Sequence, residues 1–131
     1  MHVAKQDIPT RIDVPGAVAR QLPDFGSTSA DETIGAEYFS LGAGTDIAPL
    51  LVGLEDDLCQ SPHWGYLISG EVVVSYSGGE SEQLTGGDVF FWPAGHSVAV
   101  REDAEIVLFS PQVAHGHVIE HLHAQLVPAG S

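Results

Sequence analysis

From Gly35 to about Phe109 the apolar residues fall in short runs rich in Val, Ile, Phe, Tyr and Leu, each ended by Gly, Asp, Ser or Pro. Runs of this length and composition predict closely spaced β-strands rather than helices. Strands are expected near residues 35–41, 47–53, 63–69, 71–76, 80–84, 88–92, 97–101 and 104–109. Gly70-Glu71 and Ser77-Gly78-Gly79 read as hairpin connections or bends, and Thr85-Gly86-Gly87-Asp88 as a turn before another strand. Roughly eight strands in so short a span imply a compact all-β antiparallel sandwich or barrel.

The two ends differ from this middle. Residues 1–33 carry no sustained periodicity and are punctuated by proline, so they predict an extended arm with turns. Ile8, Ile12, Val14, Val18, Leu22 and Phe25 give that arm apolar contacts for its own sheet or for a second subunit. Residues 112–131 carry Val118, Ile119, Leu122 and Leu126 at helical spacing. Ser110-Pro111 is placed to cap and start the helix, Gly116 weakens its first turn, and Val127-Pro128 ends it. The body between these ends, residues 34–111, is the expected barrel.

At 131 residues and 44% hydrophobic content, one domain can bury a continuous core without disulfides, and a single cysteine cannot form an internal one. Four Lys and Arg against 18 Asp and Glu give a net charge of -14. Such a field repels phosphate backbones and anionic membrane surfaces, which argues against a nucleic-acid or membrane partner, and it favours cations. No apolar run is long enough to span a bilayer, and the N-terminus lacks the apolar block of a secretory signal, so a soluble, cytoplasmic protein is expected.

Candidate chemistry concentrates in two segments, Cys59-Gln60-Ser61-Pro62-His63-Trp64-Gly65-Tyr66 and Trp92-Pro93-Ala94-Gly95-His96. Thiolate and imidazole suit zinc, and three such ligands leave a fourth position for water or substrate, which makes Cys59, His63 and His96 the minimal metal set. In a straight strand Cys59 and His63 would stand ~13 Å apart, so the chain must bend, and Ser61-Pro62 supplies the bend. Each residue also has a plain structural role: Cys59 as a small buried hydrophobe, His63 as a buried imidazole with a backbone partner, His96 as a loop residue. Asp57, in the acidic run Glu55-Asp56-Asp57, is a further ligand candidate or a solvated loop residue. By alternation Trp64 and Tyr66 lie opposite His63, and Phe90 and Trp92 opposite Phe91. His115, His117, His121 and His123 read as a polar helix face, with His117 and His121 one helical step apart. There is no phosphate-binding glycine loop, no Gly-x-Ser-x-Gly elbow and no Cys-x-x-Cys, and Cys59 with a nearby histidine lacks the orienting third group of a nucleophile pair.

The spacing Gly87, five residues, Pro93, one residue, Gly95, together with Gly70 closing the strand Tyr66-Leu67-Ile68-Ser69, resembles the two sequence motifs of the cupin superfamily over residues 35–111. The resemblance implies a small jelly-roll barrel and, by habit of that superfamily, a homodimer paired through its sheets. It also implies that the turns at Ser61-Pro62, leading into His63, and at Pro93-Ala94-Gly95, leading into His96, converge at one barrel mouth. Counted back from Gly70, the superfamily's glutamate ligand position falls on His63 and its two histidine positions on Cys59 and Asp57. The histidine of the second motif falls on Val98, leaving His96 as the substitute. Three functions follow as expectations. One is a metal-dependent enzyme acting on a small organic molecule, with catalytic residues unassigned. The others are a small-ligand binding module and a purely structural dimeric domain. Metal analysis followed by binding of small carbonyl or carboxylate compounds separates the first two.

Overall fold

A single strand, β5 (His63–Tyr76), organises the sheet, because every later strand pairs with it. In the computed structural model, which describes residues 1–29 and 32–126, β6 (Ser81–Thr85) and β7 (Val89–Trp92) lie one after the other along one edge of β5. The long strand β8 (His96–Pro111) runs along its other edge. β8 pairs in turn with β4 (Glu32–Leu41). The hairpin of β1 (Thr10–Val14) and β2 (Ala17–Leu22) extends the sheet through β2 and β4, and β3 (Ser27–Ser29) pairs β4. All of these pairings are antiparallel.

The expected all-β antiparallel architecture with a C-terminal helix is what forms, with one qualification of geometry. The hydrogen-bonded path β1-β2-β4-β8-β5-β6 does not return on itself, so the eight-stranded sheet is not closed into a continuous barrel. The segments 63–69 and 71–76 are one strand, as are 97–101 and 104–109. Gly70 makes the first of these junctions possible. Its φ is +95°, and a Cβ there would stand 2.2 Å from the Asp103 carbonyl oxygen, so β8 approaches too closely for any side chain. The register shifts on both sides of it, and the buried face passes from His63 and Leu67 to Val72 and Val74. Ser69, which simple alternation from His63 and Leu67 would bury, is exposed for this reason.

The expected strand at 47–53 is instead a short helix, α1 (Ala48–Leu51). Pro49 sits in its first turn, where proline is compatible with a helix and a ladder donor would be lost. Helix α2 (Gln112–Leu126) begins directly after β8 ends, so Ser110 and Pro111 belong to the strand, and the Ser110 hydroxyl goes to Glu37. Gly116 is accommodated within α2, and the expected stop at Val127-Pro128 lies outside the described residues.

Two apolar clusters result. Leu67, Val72, Val74, Leu84, Ile106 and Leu108, with their neighbours, fill the space inside β5 to β8. Ile12, Ala19, Leu51, Val118, Ile119 and Leu122 join the β1–β2 hairpin to α1 and α2, and Cys59 is part of this second cluster. Full burial of a side chain such as Ile119 contributes about 2–3 kcal/mol, so α2 is held to the sheet by its apolar face and not by intrinsic helix propensity.

Candidate metal centre

Cys59 is brought to His96 by the backbone. The Cys59 amide donates to the His96 carbonyl at 2.9 Å, and the Gly95 amide donates to the Cys59 carbonyl at 2.7 Å. Gly95, at φ +90°, turns the chain so that His96 opens β8 beside the cysteine. The bend at Ser61-Pro62 then carries His63 back across the same place. Cys59 Sγ lies 3.5 Å from His63 Nε2, far less than an extended chain allows. One donor atom each from Cys59, His63 and His96 lies within 4.8 Å of the others, and all three side chains are buried.

Hydrogen bonds fix which ring nitrogens face this point. His96 Nδ1 donates to the Pro93 carbonyl at 2.8 Å, leaving Nε2 with a free lone pair. Ser110 donates its only hydroxyl proton to Glu37 Oε1 at 2.5 Å, because a carboxylate can only accept. The 2.6 Å contact between His63 Nδ1 and Ser110 Oγ therefore has His63 as donor, and its Nε2 lone pair is directed at Cys59. Burial holds His63 well below its ordinary imidazole range, with the neighbouring His115 and His96 adding to the effect. Burial likewise lowers His96 to about 4; the Pro93 carbonyl opposes this and His115 adds to it. Both rings are neutral at pH 7. Burial pushes the Cys59 thiol up to about 12, the Ser61 backbone contact opposes this, and Glu37 adds to it.

Behind His63 lies a polar network that sequence reasoning missed. Glu37 Oε2 accepts from His115 Nδ1 and, at 3.2 Å, from Gln21 Nε2, whose own Oε1 accepts from Arg11 at 2.6 Å. Gln21, Glu37, Ser110 and His115 are all buried. The signal in the sequence was an acid in an otherwise apolar run, Ile34-Gly35-Ala36-Glu37-Tyr38-Phe39. His115 was expected on a polar helix face but points inward from the first turn of α2, where its ring centroid is 4.3 Å from that of His63. Glu37, His63 and His115 form a second group able to hold a cation. His117, His121 and His123 join no such group among the described residues, and His121 Nε2 instead donates to the Val52 carbonyl at 2.9 Å. Asp57 is exposed and accepts from the Gly53 amide. Val98 is buried in the apolar core.

Cys59, His63, His96 and His115 border a cavity of about 80 Å³, roofed by Ile119 and Leu122 of α2. Trp92 lines it too, and its indole Nε1 is buried without a hydrogen-bond partner.

Comparison with known proteins rests on structure. No protein-family model matches the sequence, and no curated protein matches it significantly. Among solved structures, oxalate decarboxylase from Lactobacillus farciminis, as a formate complex, superposes with TM-score 0.57 at 19% identity over 81% of this chain. This chain spans only 31% of that protein's length. The polyketide cyclase RemF from Streptomyces resistomycificus matches with TM-score 0.57 at 17% identity, covering 86% of this chain and 79% of its own. A cupin superfamily protein from Desulfitobacterium hafniense matches with TM-score 0.52 at 15% identity, covering 72% of this chain and 76% of its own. The fold is that of a cupin.

By the motif spacing noted in the sequence, Cys59 and His63 fall where that superfamily usually has a histidine and a glutamate, and the buried Val98 falls where it has a further histidine, with His96 two residues before it.

Proposed function

We propose that this cupin holds one divalent ion, zinc, on Cys59, His63 and His96, and that the ion binds or acts on a small organic molecule in the adjoining cavity. The observation that carries this reading is the direction of the lone pairs. His63 and His96 each commit Nδ1 to a fixed acceptor, so both Nε2 atoms are free for an ion beside the Cys59 sulfur. Thiolate with two imidazoles is a donor set that zinc accepts and that leaves an open coordination position. Glu37 and His115 are assigned a supporting role, because the Glu37 oxygens already accept from Ser110, Gln21 and His115. Zinc held there supplies a Lewis acid able to polarise a carbonyl or to lower the pKa of bound water. The chain's own residues keep both imidazoles neutral, fix their tautomers and surround the donor atoms with apolar walls.

Elemental analysis of protein resupplied with zinc tests this directly. About one ion per chain is expected, lost in each of Cys59→Ala, His63→Ala and His96→Ala. Wild-type protein without metal overturns the reading, and full occupancy in Cys59→Ala alone returns the cysteine to a packing role. The alternative is a non-catalytic small-ligand module or a structural domain, favoured by the completeness with which the buried polar network is satisfied. Metal-loaded protein that binds ligand without turning it over decides for the module.

We also propose that the chain is a homodimer. Trp64, Tyr66, Ile68, Val89, Phe91 and Phe109 are exposed on the outer face of β5, β7 and β8, with Trp64 in register between Phe91 and Phe109. A contiguous apolar face of this kind marks an interaction surface. Light scattering reports a dimer for the wild type and a monomer for a Trp64→Lys, Phe91→Lys variant if this face is the interface. An unchanged mass in the variant excludes it.

A further inference from the structure

The buried indole of Trp92 has a donor and nothing to give it to. Its ring is 3% exposed, stacks on Phe90 with centroids 3.9 Å apart, and lies 5.7 Å from the ring of His96. Trp92 Nε1 is the one buried side-chain polar atom without a partner among the described residues. Buried N–H groups are rarely left so, since an unmet donor loses its hydration and gains nothing in return. The cavity that Trp92 lines is otherwise apolar apart from Cys59, Thr45 and the three imidazoles. Of these, His63 and His96 present lone pairs to the same space but neither is within hydrogen-bonding reach of Trp92 Nε1, and the Cys59 and Thr45 protons already go to backbone carbonyls.

From this complementarity we infer that the cavity takes a short aliphatic carbonyl compound whose carbonyl or carboxylate oxygen accepts a hydrogen bond from Trp92 Nε1. The oxygen meets the one unmet donor. The body of the molecule must be apolar, because Phe39, Leu41, Ile47 and Ile106 offer it no hydrogen bonds. It must also be small: at ~10–15 Å³ per water-sized position, a cavity of about 80 Å³ holds a few heavy atoms, well below a drug-sized ligand. The charge of the guest follows the state of the site. A carboxylate facing two imidazole lone pairs and the nearby Glu37 is repelled unless a cation lies between them, whereas a neutral ketone is not. This inference gives a substrate class to the centre proposed above and rests on that reading only for the carboxylate arm.

The experiment uses full-length protein labelled with ¹⁵N in its indoles. Only two tryptophans are present, so Trp64→Phe assigns the Trp92 indole N–H resonance. Butyrate and 2-butanone are titrated into metal-free and zinc-loaded samples, with zinc measured in each. The expected result is a saturable downfield shift of the Trp92 resonance, with 2-butanone in either state and with butyrate only in the zinc-loaded state. Trp92→Phe is expected to weaken binding about tenfold, read calorimetrically in protein of unchanged circular dichroism and zinc content. A Trp92 resonance that responds to neither compound overturns the inference, and so does one that moves on zinc addition alone, which assigns the acceptor to a metal-bound water. In both cases the zinc count stands by itself, so failure here is distinct from failure of the metal centre.

Discussion

His63 Nδ1 and Ser110 Oγ are 2.6 Å apart, and because Ser110 is itself bound to Glu37 at 2.5 Å, a carboxylate two bonds removed sets the tautomer of His63. Second-sphere partners of this kind usually alter metal affinity by tenfold to a hundredfold. Ser110→Ala is therefore expected to weaken zinc binding by that amount while the fold is retained. Competition against a chromophoric chelator measures it, and wild-type affinity in the variant removes Ser110 from the role.

Helix α2 contributes His115 against Glu37 to the same network, and its Gln112 accepts from Gln21 at 3.4 Å. Removing one member of a buried pair leaves its partner with unmet hydrogen-bonding capacity, at a cost of about 3 kcal/mol. His115→Leu should lower stability by about that much in urea, and adding Glu37→Gln should restore part of it. Additive losses in the double variant would show that the two residues are not coupled.

Metal-free stability depends on pH in a direction fixed by the buried Cys59, His63 and His96. His96 has a folded pKa near 4, below the ordinary histidine value, so between those limits the unfolded chain binds the extra proton and stability falls as pH drops from about 6.5. His63, shifted the same way, adds to the loss. Cys59 acts at the other end: its folded pKa near 12 exceeds the usual thiol value, so stability falls as pH rises above about 9. Urea midpoints of metal-free protein should accordingly be highest between about pH 6.5 and 8.5. A midpoint still rising at pH 5 would contradict the histidine environments described above. Zinc uptake should release close to one proton, from Cys59, because both histidines are already neutral.

Gly70→Ala tests the junction in β5. The backbone lies at φ +95° and the added Cβ meets the Asp103 carbonyl at 2.2 Å, so both strain and displacement of β8 follow. A loss of more than about 2 kcal/mol is expected, against less than about 1 kcal/mol for Gly78→Ala, which has open space around it.

The sequence by itself determined the strand-rich body, the helix over residues 112–126, and the alternation that buries Phe90 and Trp92 while exposing Phe91. These depend on local periodicity and on turn chemistry at Gly87, Pro93 and Gly95, which act over a few residues. It also singled out Cys59, His63 and His96, because thiol and imidazole beside glycine and proline are visible in one dimension. Only the tertiary structure decided that the strand breaks at Gly70 and at 102–103 are bends within continuous strands, since the answer lies in how closely β8 approaches β5. It alone assembled Gln21, Glu37, Ser110 and His115, drawn from four elements up to 94 positions apart in the chain, into one buried network. The meaning of a buried acid is set by its partners, and those partners meet only when β2, β4, β8 and α2 pack together.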